Sequence, residues 1–347
     1  MKKRAAMQRN QIVIYENTSR MAGRSKIGPR IFVLAVIVLA MIVIMGVLAR
    51  YDYEWTIWLN QHRVEWLDEF MGRTLFEGGG YGGVDTTSLF VAAVFFLYFY
   101  AWLKPGSQRL ERWRPYLGFI MSTGFTCSFL MVHSLKWVVG RARPGLVFTK
   151  ALAYSEWHEF GPRSVTEGIL GGSLPSGHTA TVLCFLTLAY ILLASPDRST
   201  LRRTAGLIWG FISIAYCLLM ALGRIMASAH WLADCMFSIL VGWLILHILY
   251  FWVLRVPVQA LHYRRYGTHA DTPKLWELRL CWLIFLVTLG GTATAIGIRS
   301  FWELPFHWMA ALVPPGIFLV VFFGRRLGAF HKRVFEHYPS SEQTLIS

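Results

Sequence analysis

The chain has 347 residues, with 34 Lys and Arg against 19 Asp and Glu, a net charge of +15, and a composition that is 55% hydrophobic and only 15% charged. Its mean hydropathy is +0.45. A nucleic-acid-binding domain needs a wet, polar surface and a disordered chain needs low hydrophobicity, so both are excluded, along with a nucleic-acid partner; what remains is a protein embedded in lipid with its positive charge at the water interface.

Residues 1–30 are polar and basic and read as a cytoplasmic N-terminal segment. Ile31–Ala49 then runs without a charge, long enough to cross a hydrocarbon core of about 30 Å. No cleavage signal precedes Arg50, so this is an uncleaved first membrane helix. Residues 54–77 resemble an amphipathic surface helix, with Trp55, Trp58, Leu59, Val64, Trp66, Leu67 and Phe70 on its apolar side. The run Gly78-Gly79-Gly80-Tyr81-Gly82-Gly83 breaks it. That run lacks the Lys-Ser/Thr of a phosphate loop and reads as a bend or a point of close helix packing.

Seven further spans are predicted at roughly 85–103, 116–139, 178–194, 205–223, 231–254, 280–298 and 309–323. The last contains Pro314-Pro315 and is predicted to be kinked or partly re-entrant. Cys127, Cys184, Cys217, Cys235 and Cys281 all lie in apolar runs without a C-x-x-C spacing, and so read as small buried hydrophobes. There is no internal repeat and no soluble second domain. The fold class is an all-α polytopic membrane helix bundle. With the N-terminus in the cytoplasm and eight alternating spans, 24 of the 34 Lys and Arg fall on the cytoplasmic side, which puts both termini inside. An odd number of spans would put the tail outside.

The minority of cations on the outer side is concentrated. Lys136, Arg141 and Arg143 close the third span and Arg224 closes the fifth. Of these, Arg141 reads as an interface residue. The others frame two short polar stretches, Ser173-Leu174-Pro175-Ser176-Gly177-His178 and His230-Trp231-Leu232-Ala233-Asp234. Cations that merely snorkel to the interface would account for each one singly. Together they form a cluster that needs an anion, and guanidinium forks and an ammonium suit phosphate oxygens. Ser176 stands where it can cap a helix whose first N–H groups bind an anion, and Gly177 lets the backbone approach closely. His178 at that mouth can donate a proton. His230 and Asp234, four apart, share a helix face, where the carboxylate can fix the imidazole tautomer and free the other nitrogen as a nucleophile.

Lys136-(six residues)-Arg143-Pro144, Pro175-Ser176-Gly177-His178 and Arg224-(five residues)-His230-(three residues)-Asp234 resemble, in order and spacing, the three-part signature of the type 2 phosphatidic acid phosphatase (PAP2) superfamily, whose site is shared with vanadium haloperoxidases. The resemblance covers roughly residues 54–254 and implies a six-helix core, with about two extra C-terminal membrane helices. The division implied is a membrane core over 31–254, a basic cytoplasmic loop over 255–279, an extra transmembrane hairpin over 280–323 and a cytoplasmic tail over 324–347. One departure is visible: the third motif usually begins Ser-Arg, and here it is Gly223-Arg224.

The resemblance implies that His230 attacks phosphorus, oriented by Asp234, that His178 protonates the leaving oxygen, and that water hydrolyses the phosphohistidine. Lys136, Arg143, Ser176, Gly177 and Arg224 would hold the phosphate oxygens, with no metal and no cofactor. The implied substrate is a phosphate or diphosphate on a lipid in the bilayer: undecaprenyl pyrophosphate, a lipid A phosphate, phosphatidylglycerol phosphate or phosphatidic acid. The implied location is the outer face of a bacterial inner membrane. The alternatives are a lipid-to-lipid phosphotransferase and, more distantly, an anion transporter. In the outer loop 145–172, Glu156, His158 and Glu159 face either a headgroup or water. His133 is either a support for the site or a hydrogen-bonded helix residue, and Met226 and His247 read as packing.

Overall fold

The computed structural model describes residues 28–75, 78–104, 107–163, 171–194, 199–302, 306–336 and 338. The basic segment up to Lys26, the middle of the 145–172 loop and most of the C-terminal tail lie outside the described residues. Among the described residues the regular structure is helical throughout, without a strand. The chain divides into two compact units, Met1–Val36 and Ile37–Ser347. The described part of the first is the beginning of helix α1 (Pro29–Gln61).

Short α2 (Glu65–Gly72) precedes α3 (Gly83–Leu103). Helix α4 (Gln108–Thr123) passes through a π-helical stretch, Gly124–Met131, into α5 (Val132–Val139), and α6 (Pro144–Phe148) follows. Helix α7 (Gly177–Val182) continues through a 3-10 turn into α8 (Leu186–Leu193). Then come α9 (Thr200–Met226), α10 (Leu232–Ile248) with a π-helical end at Leu249–Val253, and α11 (Val256–Tyr266). Helices α12 (Trp276–Arg299) and α13 (Val313–Glu336) complete the chain.

Among the described residues, seven helical segments are long and apolar enough to cross a membrane, and the eighth expected span, Gly177–Leu193, is apolar but shorter. The protein is thus a multi-pass membrane helical bundle. All five cysteines are buried and free, as their apolar settings predict.

Three details differ from the sequence reading. The first helix does not end near Arg50 but continues to Gln61. No Pro or Gly stops it, and Asp52 and Thr56, one turn apart, are both buried. Residues 54–77 are therefore not one surface helix: α1 supplies the first part, and α2 is a separate helix after a break at His62–Val64. The third is Pro314-Pro315, which does not reverse the last span but stands where its 3-10 beginning, His307–Leu312, passes into α13. The pair occupies the first turn of α13, where a helix does not need the missing N–H groups.

Glycines mark close approaches. A Cβ on Gly83 would meet Met71 Sδ at 2.5 Å and one on Gly82 would collide with the Arg73 carbonyl, so this end of the glycine run is close packing. Asp85 ties the same turn together, accepting from Thr74 Oγ1 at 2.8 Å and from the Gly82 amide at 2.8 Å. Helices α12 and α13 form a tight hairpin. A Cβ on Gly290 would meet Leu319 Cβ at 2.7 Å and one on Gly297 would meet Val313 Cγ2 at 2.6 Å. Small residues let such helices approach where hydrophobicity cannot drive them together in lipid.

Candidate active site

The start of α10 organises the site. The first N–H groups of a helix have no partner within it. Here Leu232 N–H donates to Thr56 Oγ1 at 3.0 Å, and Ala233 N–H to Asp52 Oδ1 at 2.7 Å. Trp231 N–H donates to Asp234 Oδ2 at 2.9 Å. The polar residues of α1 beyond its apolar run thus cap a helix that lies far away in sequence, and a carboxylate at a helix N-terminus is also favoured by the helix dipole.

Arg141 lies between the two carboxylates. Its Nη1 donates to Asp234 Oδ1 at 2.8 Å and its Nη2 to Asp52 Oδ2 at 2.7 Å. Its Nε donates to the Ser155 carbonyl at 2.9 Å. The guanidinium lies 5.3 Å from the Trp231 ring centre and 5.5 Å from that of Tyr154. Arg141 is fully buried, so it is not the interface residue that the sequence suggests. Burial requires each guanidinium donor to be satisfied, and the two aspartates and the loop carbonyl do that.

His230 is also buried. Its Nδ1 is 2.8 Å from the Ser173 carbonyl oxygen. A carbonyl can only accept, so Nδ1 carries the proton and the neutral ring keeps its lone pair on Nε2. Asp234 Oδ2 stands 3.7 Å from Nδ1, beyond hydrogen-bond reach. It accepts instead from Ser173 Oγ. Asp234 therefore orients His230 through Ser173 rather than by the direct bond that the spacing predicts. Burial first, and then the Lys136 and Arg224 charges, hold the His230 imidazole down to about 3, against the opposing pull of Asp234.

Around His230 the structure gathers the other motif residues. Arg224, His230, Lys136 and Arg143 all lie within electrostatic reach of His178. Lys136 comes from the end of α5, Arg224 from the end of α9 and Arg143 from the residue preceding α6. Lys136 and Arg224 are buried and Arg143 is half-buried. His178 Nε2 is buried and has no hydrogen-bond partner. Ser176 precedes α7, but its hydroxyl pairs with Thr179 Oγ1 at 3.0 Å and not with a helix amide. A Cβ on Gly177 would touch only Val132, at an ordinary 3.5 Å, so packing does not require glycine there.

Gly223 has a structural reason. A Cβ there would fall 2.5 Å from Met71 Cβ and 3.0 Å from the Leu67 carbonyl oxygen. Helix α2 thus occupies the space where the usual serine would stand. In the same place Arg224 Nη1 donates to the Gly72 carbonyl at 3.2 Å. The turn from Arg224 to His230 is held by Asn60, whose Nδ2 donates to the Met226 carbonyl at 2.7 Å and to Ser228 Oγ at 2.6 Å. Ser228 lies in the left-handed region, with φ +53°.

Asp52, Asn60 and Ser173 act in this framework, and the sequence gives no local sign of the first two. The remaining candidates are peripheral. His158 and Glu159 are exposed, and Glu156 accepts from Tyr154 OH at 3.1 Å. His133 stacks beside Phe129, ring centres 5.2 Å apart. His247 is buried against Tyr190 OH at 2.7 Å, as a packing residue would be. Among the described residues, no three His, Cys, Asp or Glu side chains converge as a metal site.

A polytopic helical membrane protein with one buried and one half-buried histidine among three cations is the class that fold and site define. The family model of the PAP2 superfamily matches residues 112–257, which supports membership of that superfamily. Members of the superfamily are phosphatases. No curated protein and no solved structure matches the chain.

Proposed function

We propose that the protein hydrolyses a phosphate or diphosphate ester on a membrane lipid through a phosphohistidine at His230. The supporting observation is that Lys136 and Arg224, from separate elements, act on both imidazoles, and Arg143, from a third, acts on His178. Like charges gathered out of water are unfavourable unless an anion matches them, and a phosphoryl group supplies three oxygens to do so.

The step follows from the tautomer. His230 Nε2 attacks phosphorus in line with the lipid oxygen, forming the P–N bond as the P–O bond breaks. His178, entering as the imidazolium beside the bound phosphate, gives its Nε2 proton to the leaving oxygen and becomes neutral. Water then attacks phosphorus as His178 takes its proton, the P–N bond breaks with its electron pair returning to His230 Nε2, and orthophosphate leaves. The three cations, with the Ser176-Gly177 backbone, stabilise charge on the non-bridging oxygens as it develops. Each proton and electron pair is accounted for by these groups, with no metal required. The topology proposed is both termini in the cytoplasm and the site at the outer face of a bacterial inner membrane.

The test is phosphate release from undecaprenyl pyrophosphate, lipid A, phosphatidylglycerol phosphate and phosphatidic acid, with EDTA and with vanadate. Release from at least one lipid that persists in EDTA and stops in vanadate is expected. Release that EDTA abolishes contradicts the mechanism. Labelled phosphate appearing on an acceptor lipid, with little free phosphate, selects the transferase alternative.

A further inference from the structure

Helix α12 opens the C-terminal hairpin, outside the segment matched by the family model, and its last residue, Arg299, reaches back into that segment. The side chain is buried. Its Nη1 donates to the Val138 carbonyl at 2.6 Å, and its Nη2 to the Gly161 carbonyl at 3.0 Å and the Arg163 carbonyl at 2.6 Å. The guanidinium also lies 5.2 Å from the Phe160 ring centre. A rigid fork of donors can hold two backbone segments in one geometry, which a single ammonium cannot. Val138 belongs to the last turn of α5, where carbonyls lack helical partners and the helix dipole favours a cation.

One of the two segments that Arg299 joins carries the site's cations. Lys136 precedes Val138 on α5, and Arg143 follows it at the head of α6. Between them α5 ends at Gly140, with φ +61°. Residues 161–163 lie along this turn: Gly161 N–H donates to the Val139 carbonyl at 2.7 Å and Arg163 N–H to the Gly140 carbonyl at 3.1 Å. Arg299 closes that pairing from the side. No side chain fits between the layers. A Cβ on Gly161 would fall 2.4 Å from Arg141 Cα, and one on Gly140 would fall 2.6 Å from the Arg163 carbonyl oxygen and 2.7 Å from Arg299 Nη1. The same turn continues to His230. Ser173 N–H donates to the Arg141 carbonyl at 2.8 Å, and the Ser173 carbonyl accepts from His230 Nδ1 at 2.8 Å. The 138–141 turn thus connects Arg299 at one end with His230 at the other.

We infer that Arg299 is a positioning residue for the phosphoryl site: by holding Val138 against residues 161–163 it fixes the placement of Lys136 relative to Arg143, the cations on either side of the turn. The inference rests on the phosphatase reading above. It gives the C-terminal hairpin a part in turnover without contact with substrate, because cations held in place need no reorganisation as charge develops on the non-bridging oxygens. Close packing of Gly297 against Val313 of α13 steadies the helix end that presents Arg299.

The probe is orthovanadate, whose five-coordinate geometry resembles the in-line transition state. Its Kd is measured by titration calorimetry on the full-length protein in detergent, well below the unfolding midpoint of every variant, so that a loss of fold stability alone leaves Kd unmoved. Arg299→Met is expected to raise Kd on the order of tenfold through misplaced cations. Glu277→Ala is the comparison. Glu277 is buried at the other end of α12, about 33 Å from Arg299 by helix rise, where it accepts from Tyr98 OH at 2.8 Å. Removing it weakens the hold on the hairpin without touching the turn, and Kd should stay within about twofold of the parent. Should Arg299→Met not purify as a monodisperse protein, Arg299→Lys, which keeps the charge and loses the fork, carries the test, with a rise of about threefold or more expected. A rise below about threefold in the Arg299 variant, or one in Glu277→Ala as large as in the Arg299 variant, overturns the inference. Parent protein that binds no orthovanadate defeats the phosphoryl-site reading instead.

Discussion

Two neighbouring regions at one end of the bundle handle buried charge in opposite ways. In one, Arg141 is held by Asp52, Asp234 and the Ser155 carbonyl, so every charge is bonded to an opposite charge or a dipole. In the other, Lys136, Arg143 and Arg224 act on the His178 imidazole. The first arrangement joins opposite charges and serves stability. The second gathers like charges and suits an incoming anion. Substitutions in the two regions should therefore separate stability from activity.

The largest stability effect is expected at Arg141. Arg141→Met leaves two buried carboxylates facing each other, a loss of about 3–5 kcal/mol. Thermal unfolding in detergent should show it as a strongly lowered midpoint or failure to fold. Arg141→Lys should rescue little, because an ammonium cannot reproduce the fork between two aspartates and a carbonyl. A midpoint unchanged in Arg141→Met breaks the comparison from the stability side.

In the cation cluster the order reverses. Lys136→Met and Arg224→Met should each lower kcat/KM by about 10²–10³-fold. The unfolding midpoint should stay level or rise, because a buried like-charge repulsion is removed. A fall in midpoint as large as that of Arg141→Met would erase the distinction.

Gly223→Ser tests the departure from the family motif. The added side chain collides with Met71, so a loss of about 1–3 kcal/mol is expected. Met71→Gly, which removes the colliding Cβ, should recover part of it, and the coupling is read from a double-mutant cycle. Additive effects would show that α2 does not fill this space.

A pH slope tests the same site by another route. His230 is neutral when folded down to about 3, whereas in the unfolded chain it charges below about 6.5. Protonation therefore favours the unfolded state, and stability falls as pH drops from about 6.5 towards 3, by at most about 1.4 kcal/mol per pH unit. His230→Gln should flatten the fall in midpoint between pH 6.5 and 4.5. The same slope in parent and variant would mean that the folded imidazole titrates normally.

The sequence carries more of the ligands of such a site than of its supports. Apolar runs locate the spans because lipid demands long uncharged helices, and the spacing of the motifs brings Lys136, Arg143, Arg224, His178 and His230 into one list. Asp52 and Asn60 leave no such mark. Each acts on α10 or on the turn before it across more than 160 residues, and contacts of that range have no local period. Arg141 misleads because a cation at a helix end looks the same whether it faces headgroups or two buried aspartates. Asp234 is legible as a partner of His230 by its spacing, yet the interposed Ser173 changes how it acts. Gly223 looks like a lost hydroxyl in sequence and is a packing requirement once α2 is in place.

The most direct test of the central claim is to quench the protein during turnover of a ³²P-labelled lipid phosphate and map the label. An acid-labile, alkali-stable phosphohistidine on the peptide containing His230, absent from His230→Ala, is the predicted result. Turnover that proceeds with no label on His230, or equally fast in His230→Ala, contradicts it.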